Sequence, residues 1–430
     1  TTTRIVKLNL ANPASQVVNV GLRLILGSGT TIENAIGGSQ NDALVGNSLS
    51  NVLTGGGGHD TLTGAAGNDA LVGGSGNDTY IFDTDNALGK DTIDESAGGT
   101  DTLNFSATAT RAVSMVLANA AAQVVNTNLT LILGSGATIE RVIGGSQADT
   151  LVGNSSANTL TGGGGDDILI GAGGNDTLIG GDGNDQVIGQ GGNDRFVWNP
   201  GDDTDLYEGG DGMDTVEVNG GNGAEAFAVT ANGTRVRFDR IDPAPFSLDI
   251  GTAESLVLNA NGGDDSFAAT GNLAALIQLT VDGGAGNDTI RGSNGIDPLL
   301  GGAGNDVIDG NQGNDVAYLG TGDDIFQWDP GDGSDVVEGQ AGSDALRFNG
   351  SSANETFDAS TNGTRVRLTR NVGNVLTDLD GVETIAVNAV GGSDVVTVNE
   401  LSGTDVVKVA IDLAATLGGG TGDAQPDTVI

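Results

Sequence analysis

The sequence predicts an all-β fold: right-handed parallel β-roll or β-solenoid blocks, elongated and joined by further β-rich coils or hairpins. Three observations predict it: a nine-residue Gly–Asp repeat in unbroken register, a large excess of acid, and a shortage of bulky apolar side chains. Gly supplies 75 of the 430 residues, Asp and Glu outnumber Lys and Arg 57 to 16, the formal charge is −41, and aromatics make up 3%. A compact globule with one large core needs more Leu, Phe and Trp than this. A collagen needs Pro with its Gly, and only seven Pro are present. So acidic a surface repels phosphates, which argues against nucleic acid as a partner. No apolar run approaches the roughly 18 residues of a membrane span. Cys is absent, so no disulfide or thiolate metal site exists and the carboxylates are left to be bridged.

The repeats are tandem. Residues 55–63 read GGGGHDTLT, 64–72 GAAGNDALV and 73–81 GGSGNDTYI; a second block runs from 144 to 197, a third from 283 to 318, and single copies stand at 209–217 and 339–347. Longer duplications enclose them. Residues 11–46 recur at 118–153, and the segment around Trp198 recurs around Trp328. This organisation predicts four modules: 1–107 with a roll at 37–81, 108–217 with a roll at 144–197, 218–347 with a roll at 283–327, and 348–430 as a truncated further copy of the hairpin-containing kind.

The nonapeptide GGxGxDxUx resembles the repeat of the RTX (hemolysin-type calcium-binding) family, with about eighteen copies, some degraded, over roughly two fifths of the chain. Its chemistry divides in two. The first six positions are turn residues, with Gly at positions 1, 2 and 4 expected at positive φ. The last three, such as Thr61-Leu62-Thr63, alternate as a half-buried strand does. Two repeats make one coil, so residue i stacks on i+18 about 4.8 Å away. Position 8 then forms inward columns: Leu44, Leu62, Tyr80 and Leu53, Leu71 in the first block, and Leu151, Leu169, Val187 and Leu160, Leu178, Phe196 in the second.

One apolar residue per repeat buries too little to offset ordering the backbone at about 1–2 kcal/mol per residue. The Asp at position 6 stacks as well, and columns of unpaired carboxylates repel. A hard divalent cation held by Asp carboxylates and turn carbonyls in a six-oxygen cage answers both problems, and this donor set suits Ca²⁺. The resemblance implies several ions, each lying between successive coils on one edge. The ligand pairs it implies are Asp42/Asp60, Asp60/Asp78, Asp149/Asp167, Asp167/Asp185, Asp176/Asp194, Asp288/Asp306, Asp297/Asp315 and Asp306/Asp324, with Asp69 as a further ligand. The turn glycines implied to contribute are Gly55, Gly57, Gly73, Gly162, Gly164, Gly180, Gly283 and Gly301. Asn51 and Asn158 stand at the Asp position, so sites using them are expected to be weak or empty.

Each roll is expected to stop at bulky core plugs: Tyr80-Ile81-Phe82, Phe196-Val197-Trp198 and Phe326-Gln327-Trp328. Beyond them Asp202, Asp203 and Asp205, and likewise Asp332 and Asp335, either close a last cation site or only form turns. Residues 1–36 and 100–143 read as broader coils continuing the solenoid. Asn232-Gly233 and Asn362-Gly363 read as type I′ hairpin turns. Arg235, Arg237, Arg365 and Arg367 are expected to pair with surface Asp or Glu, the alternative being a neighbouring molecule.

No catalytic constellation is present. The single His, His59, sits at the variable fifth position and reads as a substituted Asn, and HExxH, GxSxG and phosphate-loop motifs are all missing. The chain begins at Thr1 without a leader and ends within strand-like residues, so a piece of a larger protein is expected. The expected function is a non-enzymatic, calcium-binding structural or adhesive region of a large secreted or cell-surface bacterial protein, folding on Ca²⁺ after export. The alternative is the accessory module of a secreted protease, lipase or alginate epimerase. The resemblance implies type I secretion from a Gram-negative bacterium. Self-assembly and cell-surface polysaccharide are the partners left open.

Overall fold

The computed structural model describes residues 4–19, 22–26, 31–95, 97–134, 139–422 and 424–430. Its contacts divide into two compact units, Thr1–Asp214 and Thr215–Ile430. Both are all-β, with long parallel ladders consistent with the β-roll architecture.

In the first unit the i to i+18 register holds. Leu44 pairs in parallel with Leu62, and Leu62 with Tyr80, while on the opposite face Leu53 pairs with Leu71. In the second block Leu151, Leu169 and Val187 stack on one face and Leu160, Leu178 and Phe196 on the other. All of these are buried.

Two features differ from the sequence reading. Strands such as Val52–Gly57, Ala70–Ser75 and Thr159–Gly164 run on through positions 1 to 3 of the next repeat, so one turn of each coil is itself a ladder. The aromatics, moreover, do not end the column. Tyr80 is followed by Leu103, then Val142, then Leu160, joining the two blocks of this unit into one ladder. Phe82 stacks on Phe105 at 5.3 Å. A plug is unnecessary because the widened coil brings its own apolar side chain to the same slot.

The segment 100–143 thus continues the solenoid. It also holds an antiparallel hairpin, Gln123–Asn126 with Leu129–Leu133, whose second strand pairs in parallel with Gly89–Asp94. The duplicated sequence nearer the N-terminus forms the same pairing, Gln16–Asn19 with Leu22–Leu24.

The second unit has two columns of its own. Val218, Leu258, Val281, Leu299, Ala317, Val337 and Leu379 stack on one face. Phe267, Ile290, Ile308, Phe326, Leu346, Ile385 and Val409 stack on the other. Here too an aromatic, Phe326, lies inside the column.

Each hairpin segment is a three-stranded antiparallel meander: Ala226–Asn232, Arg235–Asp242 and Phe246–Gly251, then Thr356–Asn362, Arg365–Arg370 and Val375–Asp380. Asn232 pairs with Arg235 and Asn362 with Arg365, so the central turn residues are Gly233-Thr234 and Gly363-Thr364. Only the glycines take positive φ, 67° and 72°. That is the requirement of a II′ turn rather than the I′ turn expected, which needs positive φ at both central positions.

Arg235, Arg237 and Arg365 find carboxylates within the chain, whereas Arg367 faces the side-chain amide of Asn362. Arg235 meets Asp249 at 2.6 Å, Arg237 meets Asp239 at 2.8 Å, and Arg365 bridges Glu338 and Asp378. Deeper in, Arg240 reaches Glu225 at 2.9 Å and Arg370 pairs with Glu355, with all four residues buried. Arg240 lies over the Phe246 ring and Arg370 over Trp328. Removing one partner of a buried pair strands the other charge, typically at a loss of about 3–5 kcal/mol. Arg370→Met should therefore lower the thermal midpoint reported by Trp328, and adding Glu355→Gln should recover most of the loss. An unchanged midpoint in the single variant would show that the pair is not structural.

Candidate metal centre

The site begins with the direction in which position 6 points. Inside the ladders this Asp folds inward, 0–2% exposed. One oxygen accepts the backbone N–H of the position-6 residue one coil earlier: Asp60 Oδ1 from Asp42, Asp78 from Asp60, Asp167 from Asp149, Asp185 from Asp167 and Asp306 from Asp288, all at 2.7 Å. Asp69, Asp176, Asp194, Asp288, Asp315 and Asp324 follow the same rule at 2.7–2.9 Å. The second oxygen, Oδ2, is buried and without a hydrogen-bond partner in every one of these residues.

The orphaned oxygen faces the position-1 glycine of its own repeat. A Cβ at Gly283 would stand 2.5 Å from Asp288 Oδ2 and 2.8 Å from the carbonyl oxygen of Gly301 in the next coil. A Cβ at Gly162 would overlap Asp167 Oδ2 and the Gly180 carbonyl in the same way. Gly55, Gly73 and Gly180 likewise face Asp60, Asp78 and Asp185, and Gly301 faces Asp306 and the Leu319 carbonyl.

Position 1 is not in the left-handed region, contrary to the sequence reading; positions 2 and 4 are, as at Gly56 (112°) and Gly58 (104°). Gly is required at position 1 by space, because a methyl group would fill the cradle between a carboxylate and a carbonyl. Position 3 plays no such part: no carboxylate lies within 4 Å of a Cβ at Gly57 or Gly164.

The first residue of each ladder is different. Both oxygens of Asp42 are engaged, by Val6 N–H at 2.6 Å and Gly38 N–H at 2.5 Å. Asp149 takes Val113 and Gly145 N–H, and Asp297 takes the N–H and hydroxyl of Ser293. Asn51 and Asn158 accept from Asn47 and Asn154 N–H at 2.7 and 2.8 Å. These five residues close their own turns, a role an amide oxygen fills as well as a carboxylate.

The columns also run past the eighteen-residue stacking, to Asp214 and Asp344 of the single copies at 209–217 and 339–347 and to four residues outside any complete repeat. Asp101 accepts from Asp78 N–H, Asp91 from Asp69, Asp205 from Asp185, Asp214 from Asp194, Asp335 from Asp315 and Asp344 from Asp324, at 2.7–3.0 Å. These pairs are separated by 20–23 positions. For Asp91 and Asp101 the signal is the tail of the repeat alone, Asp followed by polar, apolar, polar, as in Asp101-Thr102-Leu103-Asn104.

Asp205 and Asp335 thus join the columns beyond the tryptophans. Asp202 and Asp332 instead accept from Asn199 and Asp329 N–H in their own turns. The Asp203 carbonyl takes the Trp198 indole N–H. His59 fills an Asn role, as read from the sequence: its N–H donates to Asn41 Oδ1 and its Nδ1 accepts from Asn77 N–H, both at 2.8 Å.

Burial pushes these carboxyls upward, against the pull of the backbone N–H groups. Asp60, Asp69, Asp176, Asp185 and Asp306 rise to about 6, Asp167 to about 8 and Asp315 to about 9, with column neighbours adding to the burial effect in most of them. A cation reverses that balance. Orphaned anionic oxygens beside neutral carbonyl oxygens, with no nitrogen or sulfur donor, fit a hard oxygen-seeking ion such as Ca²⁺.

A sequence profile of the RTX calcium-binding nonapeptide repeat matches residues 45–80, 143–178, 170–205, 280–299, 291–326 and 331–352. No curated protein matches the chain. The chain therefore carries RTX calcium-binding repeats in both units, and the matched stretches hold most of the buried column Asp residues.

Two outcomes follow from the geometry. Asp60→Asn removes an orphaned oxygen shared between coils, whereas Asp42→Asn leaves a residue that can still close its turn. In a calcium titration followed by circular dichroism, the first should raise the midpoint several-fold and the second should barely move it; equal shifts would contradict the orphan-oxygen assignment. The second outcome concerns acid. These carboxyls have higher pKa values folded than unfolded, so the ion-free fold binds more protons and loses stability as pH rises from about 4 to about 9. In EGTA, strand signal should therefore be strongest near pH 4 and fade towards neutrality. A signal growing with pH would reverse the sign and overturn the argument.

Proposed function

We propose that this chain is a calcium-binding structural or adhesive region of a large secreted or cell-surface bacterial protein, and that it folds on Ca²⁺ after export. One observation carries the reading: ladders of buried carboxylates, each with one oxygen unpartnered and aimed at a glycine cradle. The apolar columns are one side chain wide, so such charges oppose folding until a cation sits among them. Binding energy then becomes folding energy.

The ordering of events follows from affinity. Sites of two carboxylates and neutral carbonyls resemble extracellular modules, with dissociation constants around 10⁻⁴–10⁻³ M. A bacterial cytosol supplies far less free calcium, so the chain stays loose where it is made and can be threaded through a secretion channel. Outside, calcium organises one coil and with it the turn that the next ion needs. The chain's role on this reading is architectural rather than catalytic. RTX repeats and the −41 charge support an extracellular setting of the type I secretion kind.

Far-UV circular dichroism in EGTA at neutral pH should lack strand signal, and millimolar Ca²⁺ should restore it. Fluorescence of Trp198 and Trp328 should report a midpoint near 10⁻⁴–10⁻³ M. A fully folded spectrum in EGTA, or a midpoint below about 1 μM, would mean folding before export and would defeat the proposal.

A further inference from the structure

The nine-residue pattern does not include Glu95, yet the structure buries it at 1% exposure against the first roll. Asp94 pairs with Val72, so Glu95 occupies the slot facing Gly73, where the repeats place a position-1 glycine. At Gly162 and Gly283 the matching slot one coil on offers a glycine carbonyl, from Gly180 and Gly301. At Gly73 it offers a carboxylate: a Cβ there would meet Glu95 Oε1, Asp78 Oδ2 and the Tyr80 hydroxyl. The Tyr80 hydroxyl donates to Glu95 Oε1 and accepts the Gly73 N–H at 2.8 Å, which fixes the carboxylate in place.

We infer that Asp78, Glu95 and Asp101 form a three-carboxylate calcium site of a kind distinct from the repeat sites, with Glu95 standing in for the backbone carbonyl of the next coil. One carboxylate oxygen of each lies within 4.8 Å of the others. Oxygens bound to one Ca²⁺ at about 2.3–2.6 Å can stand no more than roughly 5 Å apart, so the cluster has the right span. All three residues are buried, and no backbone or basic donor reaches Asp78 Oδ2, Glu95 Oε2 or Asp101 Oδ2, while the Glu95 and Asp101 carboxyls lie against each other.

The contrast with the second unit sharpens the assignment. Buried Glu225 and Glu355 each carry an arginine, whereas none of Asp78, Glu95 and Asp101 is paired with a basic side chain among the described residues. Three negative charges against two at a repeat site predict tighter binding, so this site should load first and seed the first roll.

The inference rests on the calcium reading above, and the test separates the two. Calcium binding to the full chain is counted by equilibrium dialysis at neutral pH, with tryptophan fluorescence followed in parallel. Glu95→Gln keeps the shape and the acceptor for Tyr80 but removes the charge. It should abolish the tightest binding event or weaken it at least about tenfold, while the Trp198 and Trp328 transitions stay put. Tyr80→Phe, which leaves all three carboxylates, should keep the ion count. An unchanged count and affinity in Glu95→Gln would overturn the site. So would a Glu95→Gln chain that is more stable in EGTA with its count unchanged, because Glu95 would then be a neutral plug. Failure of the tryptophan transitions in the wild type would instead count against the calcium reading itself.

Discussion

The repeat coils of this protein that carry an orphaned Asp depend on one carboxylate doing two incompatible things. The position-6 Asp must turn inward so that its Oδ1 can take the backbone N–H of the coil before, as Asp60 does for Asp42 and Asp167 for Asp149. That bond belongs to the ladder and is satisfied. The same rotation buries Oδ2 against glycine, where no donor reaches it. A half-satisfied buried carboxylate is worse than none in a core only one side chain wide. Glycine at position 1 is the matching concession: only a residue without a Cβ lets the carboxylate oxygen pack so close to the turn.

The chain meets this charge in three ways, and which one it uses sorts the coils. Where a ladder begins, the turn supplies its own N–H, as at Asp42 and Asp149, and an uncharged Asn does as well at Asn51 and Asn158. In the meanders a guanidinium enters from a neighbouring strand, Arg240 on Glu225 and Arg370 on Glu355. At Asp205 the Tyr207 hydroxyl donates to Oδ2, and in the other columned Asp residues Oδ2 has no donor, as a cation ligand would require. Glu at position 6 in the arginine-closed coils fits the same logic. Its Oε2 still takes the position-2 N–H, from Gly221 or Ser351, while the added methylene carries Oε1 out to the arginine.

Sequence alone made the register legible because the repeat length is itself the coil: the Leu62 column and the Asp60 column are written at every ninth residue. It failed wherever insertion changed the spacing while the ladder went on. Asp101, Asp205 and Asp335 lie 20–23 positions beyond their partners, and no complete GGxG turn precedes them. The aromatics misled for a related reason. Tyr80 looked like an end because the glycines stop, but stacking needs only an apolar residue in the slot, and Leu103 supplies it. Position-1 glycine was read as a matter of φ because glycine usually is. Its true constraint is the Asp288 oxygen and the Gly301 carbonyl above Gly283, and that contact exists only once two coils are stacked.

Shared ligation then makes cooperativity a property of the backbone as much as of the ions. Asp167 donates its N–H to Asp185 and accepts from Asp149, so fixing its carboxylate fixes three coils at once. On the calcium reading, an ion held by Asp167 and the Gly180 carbonyl would also set the turn in which Gly180 faces Asp185. Each coil prepares the oxygen geometry of the next, and no coil can hold that geometry alone. Interactions of this nearest-neighbour kind make a repeat array fold by propagation from a nucleus. Arginine-closed coils, whose cation is covalently part of the chain, need no such supply. The second unit holds both kinds, so its coils around Glu225 and Glu355 are the ones able to keep their turns closed while calcium is scarce.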